Sequence, residues 1–272
     1  MQLSHDQIEQ FHETLWEYYA KNGRSELPWR QPEPTGNFDP YKVLVSELML
    51  QQTQVARVIP KYHVFLARFP TAHDLAASEL GDVLRQWQGL GYNRRAKFLW
   101  QAAQAIEQLG SFPTSLDELV KLPGVGANTA GAILAYAYNA PVVFIETNIR
   151  SVYIHHFFAD EINIADTQIR ALVEQTLDHE QSREFYWALM DYGSHLKATA
   201  GNSSRASKHY AKQSSFAGSR RQVRGQVLRL LGERPMTLPE LASHITDGRL
   251  IEVLAALQVE QLIRGTSGMY SL

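Results

Sequence analysis

The stretch Leu122-Pro-Gly-Val-Gly-Ala-Asn-Thr-Ala130 constrains this chain more than any other. Pro123 lacks a backbone N–H and stops a helix, while Gly124 and Gly126 let the backbone turn through conformations closed to most residues. Apolar residues return at helical spacing from Asn128 to Tyr138, so a helix restarts at once. In a helix, glycine turn, helix arrangement, N–H groups of the turn and of the new helix point outward. They can grip a phosphate without reading sequence. Taken alone, the same residues also suit an ordinary tight turn between two packed helices.

The surrounding pattern is helical as well. Asp39-Pro40 offers an N-cap and a first-turn proline for a helix over 41–52. Thr71 and Ser115 open two short capped helices. Helical periodicity covers 98–109, 149–158 and 169–177, and strand signals are scarce before residue 260. An all-α body therefore spans 1–197. Residues 198–220, rich in Ser, Gly, Ala and Lys, read as a basic linker or loop. Residues 221–272 then give a helix at 222–231, a second opened by the capping box Thr237-Leu-Pro-Glu240, a third at 249–261, and a hairpin around Thr266-Ser-Gly. That order suits a small winged-helix-like domain, or a helical cap on the main body.

Net charge is −2, but the charges are unevenly placed: no Asp or Glu occurs from Tyr192 to Gly232. Lys197, Lys208, Lys212, Arg220 and Arg221 lie there, as expected for a polyanion contact, though a solvated linker has the same composition. The chain has zero cysteines, which excludes disulfides, thiolate metal sites and cysteine nucleophiles. Its first residues lack the apolar core of a signal peptide, and no apolar run is long enough to span a membrane; a cytoplasmic protein is expected. His155 and His156 are adjacent on a probable helix and point about 100° apart, which suits packing better than metal ligation.

Glu47 is the single charge in Val43-Leu-Val-Ser-Glu-Leu-Met-Leu50. A buried carboxyl there would hold its proton near neutral pH and serve as an acid; an exposed one would be an ordinary surface residue. Context separates these. Leu27-Pro-Trp-Arg30, Pro40-Tyr-Lys-Val43, Ser46-Glu-Leu-Met-Leu-Gln-Gln-Thr-Gln-Val55, Gly89-Leu-Gly-Tyr92 and the glycine turn resemble, in order and spacing, the MutY-type adenine DNA glycosylases of the helix-hairpin-helix superfamily. The resemblance covers about residues 27–195. It implies a two-lobed all-α glycosylase fold and a monomer acting in base excision repair on double-stranded DNA with a mispaired or damaged base. Adenine opposite guanine or 8-oxoguanine is the expected target.

The resemblance also implies residue roles. Glu47 protonates the adenine ring, and Leu27, Trp29, Arg30 and Asn128 line the base pocket. Gln51, Gln52 and Tyr92 meet the duplex where the base is extruded, as an acid cannot reach a stacked base. Leu122, Gly124, Val125 and Gly126 form the phosphate hairpin, with carbonyls of Val120, Leu122 and Val125 offering a monovalent cation site. Asparagine at 128, where lysine would attack the sugar, implies base removal without strand cleavage.

Three departures stand out. Glu146, in Val143-Phe-Ile-Glu-Thr-Asn-Ile-Arg150, falls where such enzymes carry a catalytic Asp, with Thr147 at the following glycine. It keeps the carboxylate on a longer side chain, but it would also suit a plain helix start. The four cysteines that hold an iron–sulfur cluster after the segment matching 188–193 are missing, so no cluster and no other cofactor is expected. The residues after Arg220 do not resemble the C-terminal 8-oxoguanine-reading domain usual in such enzymes. A glycosylase for uracil or thymine in a G mispair, and an inactive DNA-damage-binding protein, stay open as alternatives.

Overall fold

Side-chain caps open several of the helices in the computed structural model, which describes residues 1–158, 161–210 and 215–272. In chain order the helices are α1 (His5–Asn22), α2 (Pro40–Leu50), α3 (Val55–Arg68), α4 (Ala72–Ala76), α5 (Leu80–Gln86), α6 (Arg94–Leu109) and α7 (Leu116–Leu119). They continue as α8 (Ala127–Tyr138), α9 (Thr147–Phe157), α10 (Asp166–Thr176), α11 (Ser182–Thr199), α12 (Arg220–Glu233), α13 (Leu238–His244) and α14 (Leu250–Val259). Ser4, Thr71, Ser115 and Thr237 each accept from the backbone N–H three residues on, satisfying a donor the helix itself cannot. Three short strands, β1 (Met236–Thr237), β2 (Arg264–Thr266) and β3 (Met269–Ser271), form the sheet β1-β3-β2.

The chain divides into two units: residues 1–43, 114–120 and 125–212, and residues 44–113, 121–124 and 213–272. In the first, α8 is apolar on every side and buried from Thr129 to Ala137. Small residues let neighbours approach it. A Cβ on Gly131 would lie 2.8 Å from Cβ of Phe144. On α11, a Cβ on Gly193 would collide with the Asn148 carbonyl of α9. Asn139 ends α8 in the left-handed conformation, and Arg183 donates to the freed carbonyls of Tyr136 (2.5 Å) and Ala137 (3.2 Å).

The second unit is built round Trp87, Phe65 and Phe69, which are fully buried and meet edge to face. Its polar organiser is Arg95. The guanidinium is 6% exposed and donates to the carbonyls of Leu48 (2.6 Å), Met49 (3.1 Å) and Gln51 (2.6 Å) at the end of α2. It also donates to Thr53 Oγ1 and to the carbonyls of Leu90 and Gly91. One cation thus closes the last turn of α2 and ties the 51–54 loop to the 89–92 loop. This is why α2 stops at Leu50, two residues short of the sequence expectation: Gln52 turns into the left-handed region (φ 53°). Burial lowers the Arg95 pKa to about 10, still charged near neutrality.

Residues 220–272 give α12, β1, α13, α14 and a β2–β3 hairpin, the winged-helix order; β1 is too short to show alternation in sequence. Positive φ at Ser267 and Gly268 makes the hairpin turn, matching strand twist. Lys97 donates to the Glu260 carbonyl (2.7 Å) and Arg85 to that of Gly232 (3.1 Å), fastening this module within the second unit. The segment read as linker is partly built: Ser203–Ala206 forms a 3-10 turn with Ser204 buried. No helix among the described residues is long and apolar enough to cross a membrane.

Arg95→Met should strand several buried carbonyls at once. The expected loss is about 3 kcal/mol of stability, read as a lower urea midpoint with unchanged slope. An unchanged midpoint would show that the carbonyls find other partners.

Candidate active site

Along α2, Val43, Leu44, Val45, Ser46, Leu48 and Met49 are all no more than 3% exposed, and Glu47 among them is half-buried. The carboxyl is therefore neither a surface residue nor sealed off. It is carried on a helix whose last turn Arg95 clamps. In the same unit, Gln51, Gln52 and Tyr92 come together along one groove with Arg220 and Arg221 of α12. Gln52 and Tyr92 both hold positive φ, a costly conformation outside glycine, sustained here by the carbonyl contacts of Arg95 on either side.

The structure bears out the expectation at Gly124 but not at Gly126, whose φ of −86° is extended backbone open to any residue, with nothing within 4 Å of an added Cβ. Gly124 has φ +77°, and a Cβ there would lie 2.6 Å from Cβ of Phe98, so glycine is required twice over. Leu122 and Val125 are buried and anchor the turn, Val120 is exposed, and Gly126 caps α8.

In the first unit, Asn128 spends both ends of its amide on one residue. Its Nδ2 donates to the Ile145 carbonyl (2.9 Å) and its Oδ1 accepts from the Ile145 N–H (3.3 Å). That fixes the extended strand just before Glu146, the N-cap of α9. Burial raises the Glu146 carboxyl above its ordinary value, and the Thr147 backbone, Arg150 and Lys197 pull it only part of the way back. Lys197, half-buried, donates to Asn148 Oδ1 (2.7 Å). Its ammonium is committed inside the unit beside Glu146. Lys208 is exposed, its N–H bonded to the Ile164 carbonyl (2.9 Å). Lys212 lies outside the described residues.

Leu27 is buried and Trp29 half-buried. Arg30 is 6% exposed and grips Asp191 at 2.8 and 2.9 Å, with Trp187 under its guanidinium at 5.2 Å. Arg24 adds bonds of 2.6 and 2.8 Å to the same carboxylate. Burial pushes Asp191 up, but the two arginines outweigh it and hold the carboxyl below its ordinary range. Arg30 thus braces α11, which the sequence could not reveal because Asp191 lies 161 residues away. His156 meets Phe11 edge to face and the Tyr192 hydroxyl at 3.1 Å, with burial lowering its pKa to about 4. Among the described residues no three His, Asp or Glu side chains are grouped to hold a metal ion.

Known proteins bear directly on this arrangement. Residues 45–178 match the family model "HhH-GPD superfamily base excision DNA repair protein". A Mycobacterium tuberculosis (strain H37Rv) adenine DNA glycosylase is 34% identical over 285 aligned positions, covering 95% of this chain and 92% of that protein. This chain belongs to the HhH-GPD superfamily. An adenine DNA glycosylase of Buchnera aphidicola (subsp. Baizongia pistaciae) is 39% identical over 189 residues, 67% of this chain and 52% of its own. The chain thus spans about half the length of the Buchnera relative it matches. Its fold is that of a thermostable thymine-DNA glycosylase, with TM-score 0.63 and 21% identity over 73% of this chain and 91% of the other.

Against the cluster-bearing pattern of MutY-type members of the superfamily, the residues here do not fit an iron–sulfur group. There is no thiol, and after α11 the chain makes the 3-10 turn and pairs Ser207 with Ile164 in a parallel bridge. The residues missed from sequence were Arg95, and Arg57 and Lys61 on α3, which line the groove. Arg95 had a signal: it sits on the apolar stripe of α6 with Leu99, Ala102, Ala103 and Ile106.

A folded carboxyl with a raised pKa holds its proton to higher pH than the unfolded chain does, so its ionisation costs stability above that midpoint. Glu146→Gln should therefore melt above wild type at pH 7, with the gap closing as pH falls below the ordinary carboxylate range. Carboxyl carbon shifts should show a Glu146 midpoint above that of an exposed glutamate, and higher still in Lys197→Met. A midpoint unmoved by that substitution would remove the assigned role of Lys197.

Proposed function

We propose that this chain is a monofunctional DNA N-glycosylase that acts as a monomer on duplex DNA and removes adenine from a mispair. The observation that carries the reading is Glu47, a half-buried carboxyl on an otherwise apolar helix, within a chain that aligns along nearly its whole length with an adenine DNA glycosylase. The glycine turn supports a phosphate grip, and the paired Gln51 and Gln52 with Tyr92 support a surface where a base leaves the stack.

In this mechanism Glu47 gives its proton to the adenine ring. The C1′–N9 bond then breaks with its electron pair leaving on the base. Glu146, ionised, stabilises the positive charge growing on the sugar, water adds at C1′, and the water proton passes to a carboxylate. The products are free adenine and an abasic site. Asn128 has no amine to attack the sugar, and its amide is occupied with Ile145, so the strand stays whole. Leu27, Trp29 and Arg30 serve the base pocket in this reading, and the backbone of residues 120–126 holds the phosphodiester, with a monovalent cation on carbonyls of Val120, Leu122 and Val125.

Labelled duplexes carrying A opposite 8-oxoguanine, A opposite G, U opposite G or T opposite G, treated with alkali after incubation, test the proposal. Adenine-containing strands should be cut at the target only after alkali, and Glu47→Gln should lose about 10²–10⁴-fold in single-turnover rate. Release of uracil or thymine alone would replace adenine as the target. Full activity in Glu47→Gln would end the mechanism.

A further inference from the structure

The open groove in the second unit has a cavity volume of about 1510 Å³, above the range usual for small-molecule pockets. Eight Arg and Lys side chains line it against one carboxylate, Glu260. The whole chain has 26 basic and 28 acidic residues, so this balance is strongly local. Glu260 is already committed to Arg224 (2.6 Å) and, at 3.7 Å, to Arg94. One wall carries Arg57 and Lys61, a turn apart on α3; the other carries Arg220, which with Arg224 begins α12. At the rim, Tyr92 and Phe216 are 38% and 60% exposed, offering aromatic faces beside the charges.

Arg221 joins the two walls. Its guanidinium donates to the Tyr92 hydroxyl at 2.5 Å and lies 5.6 Å from the ring centroid. Arg95 approaches the same ring at 5.5 Å, so Tyr92 is held by one cation from the loops' own anchor and one from the C-terminal module. A cationic groove floored with amides and edged with aromatic rings is complementary to a phosphodiester backbone.

Resting on the functional reading above, we propose that residues 215–272 are part of the DNA-binding surface: α12 and α3 form a phosphate-binding groove for the duplex beside the extruded base. Within it, Arg221 is a positioning residue that sets Tyr92 for the mispair. The module therefore acts on the same DNA as the catalytic residues, without reading sequence through the groove itself.

The test uses the full chain with Glu47→Gln to prevent turnover. Fluorescein-labelled duplexes, one with an A:8-oxoguanine pair and one fully matched, are titrated by anisotropy over a salt series. Arg57→Gln/Lys61→Gln/Arg220→Gln should weaken both duplexes alike and lower the slope of log affinity against log salt by about 3, near one per phosphate contact. The single variants Arg57→Gln and Arg220→Gln, each lowering it by about 1, stand in if the triple variant melts early. Arg221→Met should cost about tenfold on the mispaired duplex and leave the matched one within about twofold, with Tyr92→Phe giving the same and the double variant no worse. Unchanged slopes overturn the groove, and equal loss on both duplexes or additive losses overturn the role of Arg221. Capture of an acidic protein with DNA binding untouched also overturns the proposal. If the active chain releases adenine while the groove variants behave as wild type, this proposal alone fails; if the active chain neither binds nor excises, the functional reading fails with it.

Discussion

One guanidinium decides how the second unit is arranged. Helix α2 must end somewhere, and its last carbonyls point into a region too buried for water to satisfy them. Arg95 brings a planar fork of donors and takes carbonyls from two loops in addition to the helix end. The consequence runs outward in order. The α2 terminus is fixed, so the frame that carries Glu47 is fixed; the loops cannot separate, so the positive φ values of Gln52 and Tyr92 persist. Tyr92 is then presented to Arg221.

The first unit solves a matching problem with a neutral group. Asn128 sits at the start of α8, and its amide is closed on the Ile145 peptide. That side chain therefore holds the backbone just before the second candidate carboxylate. Glu146 enters helix α9 as its N-cap in an extended conformation, with its charge opposed by burial and supported by Arg150 and Lys197.

Much of this was legible in sequence because it depends on short-range rules. Capping residues at Thr71, Ser115 and Thr237, Gly124 of the turn, and the Ser267–Gly268 hairpin act within a few positions and mean the same in any fold. Glu47 was legible for a different reason: a charge on an apolar helix demands an explanation. The same logic applied to α6 would have singled out Arg95. What the sequence withheld were partnerships formed only by folding. Arg30 with Asp191, Lys197 with Asn148 and Arg221 with Tyr92 join residues from 49 to 161 positions apart. Basic residues after 191 looked like one class in sequence, yet Lys197 faces inward beside a carboxylate while Arg220 lines a groove.

The parallel bridge between Ile164 and Ser207 changes what this part of the molecule depends on. The Ile164 N–H donates to the Ala206 carbonyl at 3.0 Å and the Lys208 N–H returns to Ile164 at 2.9 Å, while Ser204 is buried against Asn202. A loop closed by peptide groups folds with the chain and asks nothing of metal supply. Chelators and oxidants, which dismantle a thiolate-bound cluster and the loop around it, meet no thiolate here on which to act.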